Sequence, residues 1–479
     1  MTVIQLRRLR GALISAPAAH PFLLGLWFVL DVARRGIHPD FAGAVAFLAV
    51  LIAVTAVARL LLGRLFRTPV QAGLATTAFL IPLLCFEEVR QFLATLDPRL
   101  AEFGVVVPMM LGFVALTMVL LRHSKADLSV LHGAINASAI VFVVWVLFPF
   151  IKEANAKSIP DQPRSIVAVP QGAALSSASA SSSYPDIYYI LLDAYTAPKS
   201  LSRFWGYENS EFVSALERRG FYVAGDSKSR YTSTVQSMAS TLNMDTLTKG
   251  EELFPAIRNN LLVRYLQARH YTVENLSPFD LGETPAYYSY FTDVRGANEG
   301  FASYFFHTGP GIVIASFRVE RMPEENLRIL SRLTALSGEV AATPRFVYAH
   351  LMSPHGPFGF DRDGSLIPLI KRGRWNSLPA YLNQLIGTNR LLLPVVDTIL
   401  ARSSRDPIII IQGDHGSRIV PGAENRNEAH TIFNAYHLPS GGARLLSPSI
   451  SPINSFRVVL KYYFDEDVPL ADAGEQNTR

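Results

Sequence analysis

A carboxylate and an imidazole stand side by side after four isoleucines in IIIIQGDHGSR, residues 408–418. Such an apolar run is typical of a buried strand in a parallel sheet, whose two faces are both covered. Asp414 and His415 follow it directly, and carboxylate oxygen and imidazole nitrogen are ligands for divalent cations. The stretch therefore suggests a metal site at a strand end, with an ordinary Asp-Gly turn as the simpler alternative.

Two other strand-like stretches also end in residues that could take part in chemistry. DIYYILLD ends in Asp193, and RFVYAHL runs into SPHGPF with His355. Ligands of open parallel α/β sheets bind beyond the carboxyl ends of the strands, so these residues can meet although they are distant in sequence. Each alone is explained as a cap or loop residue, but together they favour a divalent-metal site.

A hydroxyl-rich stretch offers a nucleophile for such a site. SKSRYTSTVQSMASTLNM, residues 227–244, follows a strand-like segment and leads into a helix-like one. Its hydroxyls would then lie at a helix N-terminus, where free backbone N–H groups favour anions such as phosphate. On spacing alone, a Ser/Thr-rich helix cap is the better explanation.

From residue 184 onward, short apolar strands alternate with helical patterns. SEFVSALERRG reads as an amphipathic helix, FYVAG as a strand, and NNLLVRYLQARH with YTVENL repeats the order of helix and strand. This alternation predicts an α/β domain with a largely parallel sheet. Three strand ends of that sheet must position the candidate residues.

The first third of the chain has a different composition. It contains five uncharged runs, each close to the roughly 20 residues that a helix needs to cross a bilayer core of about 30 Å. They are residues 11–30, 41–58, 68–86, 103–121 and 128–151. A buried soluble bundle explains any one run, but five in succession predict an α-helical membrane bundle of about five spans. The first run lacks a signal-peptide cleavage site, so we expect it to remain as a span.

Charge predicts the orientation of this bundle. With the N-terminus inside, the inner segments carry 8 Lys and Arg and the outer loops 4, and basic residues favour the cytoplasmic side. We therefore expect an integral protein of a bacterial inner membrane with its later residues outside the cytoplasm. Residues 1–151 hold 12 basic and 7 acidic residues, which accounts for the whole net charge of +5. The excess of basic residues therefore reflects the orientation of the membrane bundle. It gives no reason to expect a nucleic-acid partner.

Composition also predicts the domain boundaries. Residues 1–151 form the membrane bundle, and residues 152–183, rich in Ala, Ser, Pro and Gln, form a flexible linker. Residues 184–465 form the extracytoplasmic domain and residues 466–479 a tail. Cys85, the only cysteine, lies in the third apolar run, so a metal site in the domain must use oxygen and imidazole ligands.

The ordered motifs resemble a known family. YYILLDAY, TVQSMAS, HLMSPHGPF and IIIIQGDHG, in this order after a membrane-spanning N-terminus, are similar to the alkaline phosphatase superfamily. The nearest branch is that of the sulfatase-like membrane enzymes, which includes lipoteichoic acid synthases and lipid A phosphoethanolamine transferases. The resemblance covers roughly residues 184–465 and implies a catalytic α/β domain of alkaline phosphatase/sulfatase-like type.

The resemblance also implies roles for individual residues. A single divalent metal, Mn, Zn or Mg, is held by Asp193, Thr234, Asp414 and His415. Thr234 is also the nucleophile, preferred over Thr232 and Ser233 because TVQSMAS matches the spacing of the family. His355 faces the transferred group or the departing alcohol. A looser match gives His430 and Ser237 as substrate-binding or second-metal residues.

The chain departs from the family pattern at three points. Sulfatases proper need Cys or Ser in a Cys/Ser-x-Pro-x-Arg context, and TVQSM has threonine at the first position and neither the proline nor the arginine, which disfavours formylglycine-dependent sulfate hydrolysis. Ala194 replaces the glycine common after the first aspartate, a change that we expect to be tolerated. A second set of metal ligands is not evident, so one metal is expected.

The implied activity is a metal-dependent phosphotransfer in two steps. Thr234 attacks the phosphorus of a membrane phospholipid head group of the phosphoglycerol or phosphoethanolamine type, and diacylglycerol leaves. A hydroxyl of an envelope glycan or lipid then takes the group from the phospho-threonine. The alternatives are a membrane-anchored phosphodiesterase or phosphatase, a hydrolase of soluble phosphate esters, and a sulfatase-like envelope protein without catalysis.

Overall fold

The chain divides into two units. The computed structural model describes residues 18–35, 41–154, 184–247, 252–288, 304–305, 307–372, 377–422 and 424–471. Residues 1–161 and 290–318 form one unit, and residues 162–289 and 319–479 form the other. Most of the predicted linker lies outside the described residues.

Apolar helices make up the first unit. Those described before residue 155 are α1 (His20–Arg35), α2 (Phe41–Leu65), α3 (Pro69–Leu84), α4 (Phe86–Leu96), the 3-10 turn Pro98–Ala101, α5 (Phe103–His123) and α6 (Ser129–Ala154). Large apolar side chains are exposed on these helices, among them Leu60 at 70%, Trp145 at 76% and Phe148 at 70%. A surface of this kind suits contact with lipid chains and would be an aggregation hazard in water.

Three described helices, α2, α5 and α6, are long and apolar enough to cross a membrane. A fourth span results if α3 and α4 are counted together, but this pair is bent by 70°. Of the about five spans that the sequence predicts, the described residues contain three or four. Pro82 inside α3 removes a helical N–H, and Cys85 leaves the helical conformation. The first predicted run begins outside the described residues, and α1 is a shorter apolar helix.

Buried polar side chains connect α1, α3 and α6. The backbone N–H of His20 donates to Asn136 Oδ1 at 2.9 Å, which turns the amide nitrogen of Asn136 toward His132 Nε2 at 3.3 Å. Since that ring nitrogen must accept, a neutral His132 donates from Nδ1 to His20 Nε2 at 3.2 Å. His20 then donates from Nδ1 to Thr77 Oγ1 at 2.5 Å. The two histidines therefore link neighbouring helices through one directional chain of hydrogen bonds.

Strands and helices alternate after residue 184, as the sequence predicts. The strands are β1 (Ile187–Leu192), β2 (Tyr222–Val223), β3 (Thr272–Leu276), β4 (Arg345–Leu351), β5 (Ile408–Gly413) and β6 (Asn434–His437). The helices are α7 (Pro198–Trp205), α8 (Ser210–Glu217), α9 (Thr234–Asn243), α10 (Leu253–Arg258), α11 (Leu261–Gln267), α12 (Gly309–Val319), α13 (Met322–Gly338), α14 (Leu378–Arg402), α15 (Glu424–Glu428) and α16 (Pro452–Tyr463), with 3-10 turns Leu369–Lys371 and Pro439–Leu445.

One mixed sheet forms the centre of the second unit, with strand order β2-β6-β5-β1-β4-β3. Four neighbouring strands, in the order β5-β1-β4-β3, run parallel to one another, which confirms the predicted α/β class. At the other edge, β6 runs antiparallel to β5 and to β2. The sequence did not predict β6, because a strand of four residues is too short to show alternation. β1, β4 and β5 are buried at every residue, as expected for strands covered on both faces.

The register of the central strands positions the site. Leu192, the last residue of β1, pairs with Leu351 at the end of β4 and with Gly413 at the end of β5. The carboxyl ends of three parallel strands therefore lie level with one another. Side chains that follow these ends meet at one edge of the sheet, as the strand-end pattern predicts.

Part of the chain after β3 groups with the helical unit. Tyr304 is buried and stacks on Phe47, with ring centroids 5.7 Å apart. Ile312 packs in a cluster around Phe86. A Cβ atom at Gly309 would lie 2.2 Å from the carbonyl oxygen of Pro82, close to the bend between α3 and α4. The predicted boundaries of residues 184–465 stay a prediction, and packing within this range is divided between the two units.

We predict that Gly309→Ala destabilises the protein. Its Cβ would overlap the carbonyl of Pro82, and overpacking of this kind costs about 1–3 kcal/mol. Gly112→Ala in α5 is the matched control, because nothing lies within 4 Å of its Cβ and Ala is the better helix former. Thermal unfolding in detergent measures both variants. Equal midpoints for Gly309→Ala and the wild-type protein would contradict this packing.

Candidate metal centre

Three side chains with metal-ligand atoms converge at the carboxyl ends of β1 and β5. Asp193 follows β1, and Asp414 and His415 follow β5, its neighbour in the sheet. One ligand atom from each lies within 4.8 Å of the others, and each residue is at most 1% exposed. The structure thus brings together three residues that the sequence singled out.

The imidazole of His415 is oriented by its own backbone. Nδ1 lies 2.8 Å from the carbonyl oxygen of Gly416, and since a carbonyl only accepts, Nδ1 carries the proton. Nε2 then presents a lone pair toward Asp414 Oδ2 at 3.5 Å and Asp193 Oδ1 at 3.7 Å. This is the tautomer that a metal-binding histidine requires.

Both carboxylates keep one oxygen without a hydrogen-bond donor. Asp414 Oδ1 accepts the backbone N–H of Ala194 at 3.0 Å. Asp414 Oδ2 and Asp193 Oδ1, although buried, accept none from any residue that the structure describes. Burial disfavours the charged Asp193 carboxylate, but the positive charge that His355 and His415 carry when protonated and the hydrogen bond from His350 hold its pKa below the ordinary value. Two buried negative groups therefore face each other and one imidazole lone pair.

The donor set fits a divalent metal. Isolated buried charges cost several kcal/mol each, and a shared cation removes this cost for both carboxylates. Ligand separations of 3.5 and 3.7 Å agree with an ion that binds oxygen and nitrogen at about 2.0–2.2 Å. Two carboxylates and one imidazole suit Zn²⁺ or Mn²⁺ and do not distinguish between them.

Close backbone contacts explain the residues around the ligands. A Cβ atom at Gly416 would lie 2.1 Å from the carbonyl oxygen of Glu428 and 2.3 Å from that of Thr431. The glycine of the DHG motif is thus required by close approach of another chain segment. Ala194 adopts a left-handed φ of 60°, which costs an L-residue about 1–2 kcal/mol. Its N–H is the donor that holds Asp414.

Thr234 is the first residue of α9 and lies beside the ligand cluster. Its Oγ1 is 3.3 Å from Asp193 Oδ2 and 3.5 Å from His415 Nε2, and the residue is 7% exposed. Ser233 is the N-cap of the helix and makes no side-chain cap hydrogen bond. Of the three hydroxyls that the sequence offered at this position, Thr234 is the one that the structure places against Asp193 and His415.

His355 lies next to Asp193, with its ring turned toward an arginine. Its backbone N–H donates to the carbonyl oxygen of Asp193 at 3.0 Å. Nδ1 donates to the carbonyl oxygen of Gly356 at 2.6 Å, so Nε2 accepts, and Arg418 Nη2 lies 3.3 Å from it. Arg418 is exposed. The sequence did not single out Arg418, although it follows the DHG motif by two residues.

Ser237, in the first turn of α9, and His430, which follows α15, both contact the loop that leads into α9. Ser237 Oγ donates to the carbonyl oxygen of Tyr231 at 3.3 Å and lies 3.2 Å from Ser229 Oγ. His430 Nδ1 donates to the carbonyl oxygen of Ser229 at 2.9 Å. These contacts shape the approach to Thr234, and the structure does not bring the two side chains into the ligand cluster. Their predicted roles in substrate or second-metal binding stay predictions.

His350 was missed by the sequence reading. It is fully buried in β4, and its Nε2 lies 3.4 Å from Asp193 Oδ2. Its Nδ1 lies 3.2 Å from the hydroxyl of Tyr348. The available signal was a histidine one residue before the end of a strand that is otherwise mainly apolar.

No protein-family model and no curated protein match the chain. Among solved structures it is similar to the integral membrane lipooligosaccharide phosphoethanolamine transferase A of Neisseria meningitidis, with 14% identity, 94% of each chain covered and a TM-score of 0.43. It is also similar to the C-terminal periplasmic domain of EptC from Escherichia coli in complex with Zn, with 9% identity, 62% of this chain and 92% of that chain covered, and a TM-score of 0.39.

A third similar structure is a putative sulfatase of Bacteroides fragilis, with 12% identity, 65% of this chain and 77% of that chain covered, and a TM-score of 0.37. The similar structures thus include phosphoethanolamine transferases and sulfatases, the kinds of enzyme that the sequence motifs resemble. These TM-scores lie below 0.5, so the function proposed for the chain rests on its own residues.

We predict that Asp414→Asn stabilises the metal-free protein. The amide keeps the oxygen that accepts from Ala194 and turns an N–H toward the cluster, which removes an unpaired buried oxygen worth about 1–3 kcal/mol. The stabilisation gained on adding Mn²⁺ should fall at the same time. Thermal unfolding with EDTA and with Mn²⁺ measures both effects.

The control for this experiment is Asp397→Asn, which removes an exposed carboxylate paired with Arg219 and should leave both midpoints nearly unchanged. An Asp414→Asn protein that unfolds at a lower temperature than wild type in EDTA would contradict the idea that the cluster is repulsive without a cation.

Proposed function

We propose that the protein is a membrane-anchored, metal-dependent phosphotransferase that acts through a phospho-threonine at Thr234. The observation that carries the proposal is the position of the Thr234 hydroxyl, 3.3 Å from Asp193 Oδ2 and 3.5 Å from His415 Nε2. A hydroxyl beside ligand-type groups and at the N-terminus of a helix has the surroundings of an activated nucleophile for a phosphate ester.

Asp193, Asp414, His415 and Thr234 would hold one divalent cation. When bound, the cation activates the threonine hydroxyl and offsets negative charge on a phosphoryl oxygen. Asp193 Oδ2 accepts the hydrogen bond of the hydroxyl and so aims its oxygen. Free backbone N–H groups in the first turn of α9 are available for the remaining phosphoryl oxygens.

His355 supplies proton transfer in this proposal. Its Nδ1 is held by the Gly356 carbonyl, so the neutral ring has its lone pair on Nε2. In the first step the protonated ring gives its Nε2 proton to the departing diacylglycerol oxygen, and Thr234 attacks with its hydroxyl already deprotonated. In the second step the neutral ring takes a proton on Nε2 from the acceptor hydroxyl, and Thr234 leaves in the deprotonated form in which it attacked. General acid–base catalysis of this kind contributes typically about 10²- to 10⁴-fold.

A phospholipid is the donor in the proposal, with a head group of the phosphoglycerol or phosphoethanolamine type. Support comes from the apolar helices of the first unit, which hold the chain in a membrane next to such donors. The acceptor in the proposal is a hydroxyl of an envelope glycan or lipid. The second unit would therefore lie outside the cytoplasm of a bacterial cell, where such acceptors are found. A threonine at the nucleophile position disfavours sulfate esters, since formylglycine forms from cysteine or serine.

We predict that Thr234→Ala loses on the order of 10³-fold or more of its activity, since the group that forms the covalent bond is removed. Full-length protein in mixed detergent–phospholipid micelles with Mn²⁺ is digested, and the peptide covering residues 232–244 is weighed by mass spectrometry. Wild type should carry an adduct on Thr234 with the mass of the head group, together with released diacylglycerol.

Thr241→Val is the matched control, because it removes a buried hydroxyl from the same helix that has no hydrogen-bond partner among the described residues. It should keep the adduct and the activity. Diacylglycerol release with water as the acceptor would favour the phosphodiesterase alternative. Activity retained in Thr234→Ala would rule out the proposed nucleophile.

A further inference from the structure

The two oxygens of the Asp193 carboxylate have different surroundings. Oδ1 has no hydrogen-bond donor among the described residues and lies 3.7 Å from His415 Nε2. Oδ2 lies 3.3 Å from Thr234 Oγ1 and 3.4 Å from His350 Nε2. One oxygen thus faces the ligand cluster, and the other faces the nucleophile and a buried histidine.

The hydrogen-bond partners of His350 determine which ring nitrogen carries a hydrogen. A carboxylate only accepts, so His350 Nε2 must carry a hydrogen. Nδ1 lies 3.2 Å from the Tyr348 hydroxyl, which also lies 3.0 Å from Met238 Sδ. Burial raises the pKa of Tyr348 well above its usual range, so the hydroxyl keeps its proton. Imidazole nitrogen is a better hydrogen-bond acceptor than a thioether. A neutral His350 therefore accepts the hydrogen bond of the Tyr348 hydroxyl at Nδ1.

The result is a directional chain from Tyr348 through His350 to Asp193. All three residues are fully or almost fully buried, so water does not compete for these hydrogen bonds. His350 is fixed further by its strand, where it pairs with Leu191 of β1, and by Tyr288, whose hydroxyl donates to its carbonyl oxygen at 2.9 Å. The imidazole is therefore a well-fixed donor aimed at one oxygen of the Asp193 carboxylate.

We propose that His350 is a positioning residue that divides the two oxygens of Asp193 between the metal and the nucleophile. Its N–H holds Oδ2, so that Oδ1 is left for the cation and Oδ2 stays in place to accept from Thr234. This inference rests on the proposed function, because it takes Asp193 as a metal ligand. Partners that orient a ligand in this way typically change metal affinity by about 10- to 100-fold when they are removed.

A purely structural role for His350 predicts a different result. If His350 only fills the core, its replacement changes the free energy of unfolding and leaves the affinity for metal unchanged. If it positions Asp193, a side chain that keeps an N–H donor should preserve affinity, and an apolar side chain of similar size should not. Metal affinity of the folded protein therefore separates the two roles.

The test is a titration of full-length protein in detergent, stripped with EDTA and dialysed, with Mn²⁺ as the probe and bound metal measured by electron paramagnetic resonance. We expect His350→Leu to weaken Mn²⁺ binding by about 10- to 100-fold. His350→Gln should stay closer to wild type, because its amide keeps an N–H for Asp193 Oδ2. Tyr348→Phe should weaken binding less than His350→Leu, since the ring loses only the partner that fixes its tautomer.

His437→Gln is the matched control. His437 also lies on a strand and donates from Nδ1 to a backbone carbonyl, that of Pro407, at 2.9 Å. It pairs with Ile409 near the start of β5, at the end of the strand away from Asp414. Its replacement should leave the affinity for Mn²⁺ unchanged.

Wild-type affinity in His350→Leu would overturn the inference, and so would binding by His350→Gln as weak as that by His350→Leu. If His350→Leu does not fold, Tyr348→Phe decides, and unchanged affinity in that variant overturns the inference. The proposed function fails separately. A wild-type protein that binds Mn²⁺ but neither forms an adduct on Thr234 nor releases diacylglycerol excludes the phosphotransfer, while the ranking of variants by affinity still tests His350.

Discussion

Repulsion between two buried carboxylates is the constraint on which the site depends. β1 and β5 pair in parallel, and their register places Asp193 and Asp414 side by side beyond the sheet edge. Neither side chain reaches water, and each keeps an oxygen without a donor among the described residues. A fold that imposes this arrangement carries a cost of several kcal/mol unless a cation lies between the two groups. The tautomer of His415, the tight contact at Gly416 and the strained φ of Ala194 all serve to aim these groups.

The same arrangement accounts for the proposed chemistry. Thr234 begins α9 against Asp193 and His415, so the hydroxyl, the ligand atoms and the free N–H groups of the helix point to one place. Residues that must hold positions to within a fraction of an ångström are best carried by rigid elements, and here they follow fully buried strands. The apolar helices of the first unit provide a membrane attachment, which suits a lipid donor.

The sequence singled out the candidate ligand residues but not the residue that supports them. Asp193, Asp414 and His415 were found because each follows an apolar strand, and strand ends meet at one edge of a parallel sheet. His350 was not found, because a polar residue inside a strand has no local signal that separates a core histidine from one that orients a ligand. The bend after Pro82 and the grouping of residues 304–318 with the helical unit depend on packing between distant segments, which local periodicity does not encode.

The most direct measurement of the central claim is electron spin echo spectroscopy of Mn²⁺ bound to the full-length protein. If Asp193, Asp414 and His415 share one cation, each chain binds one Mn²⁺ with hyperfine coupling to a directly bonded imidazole nitrogen. That coupling disappears in His415→Gln. Mn²⁺ that shows no nitrogen coupling, or a coupling that survives in His415→Gln, would place the metal elsewhere and contradict the account.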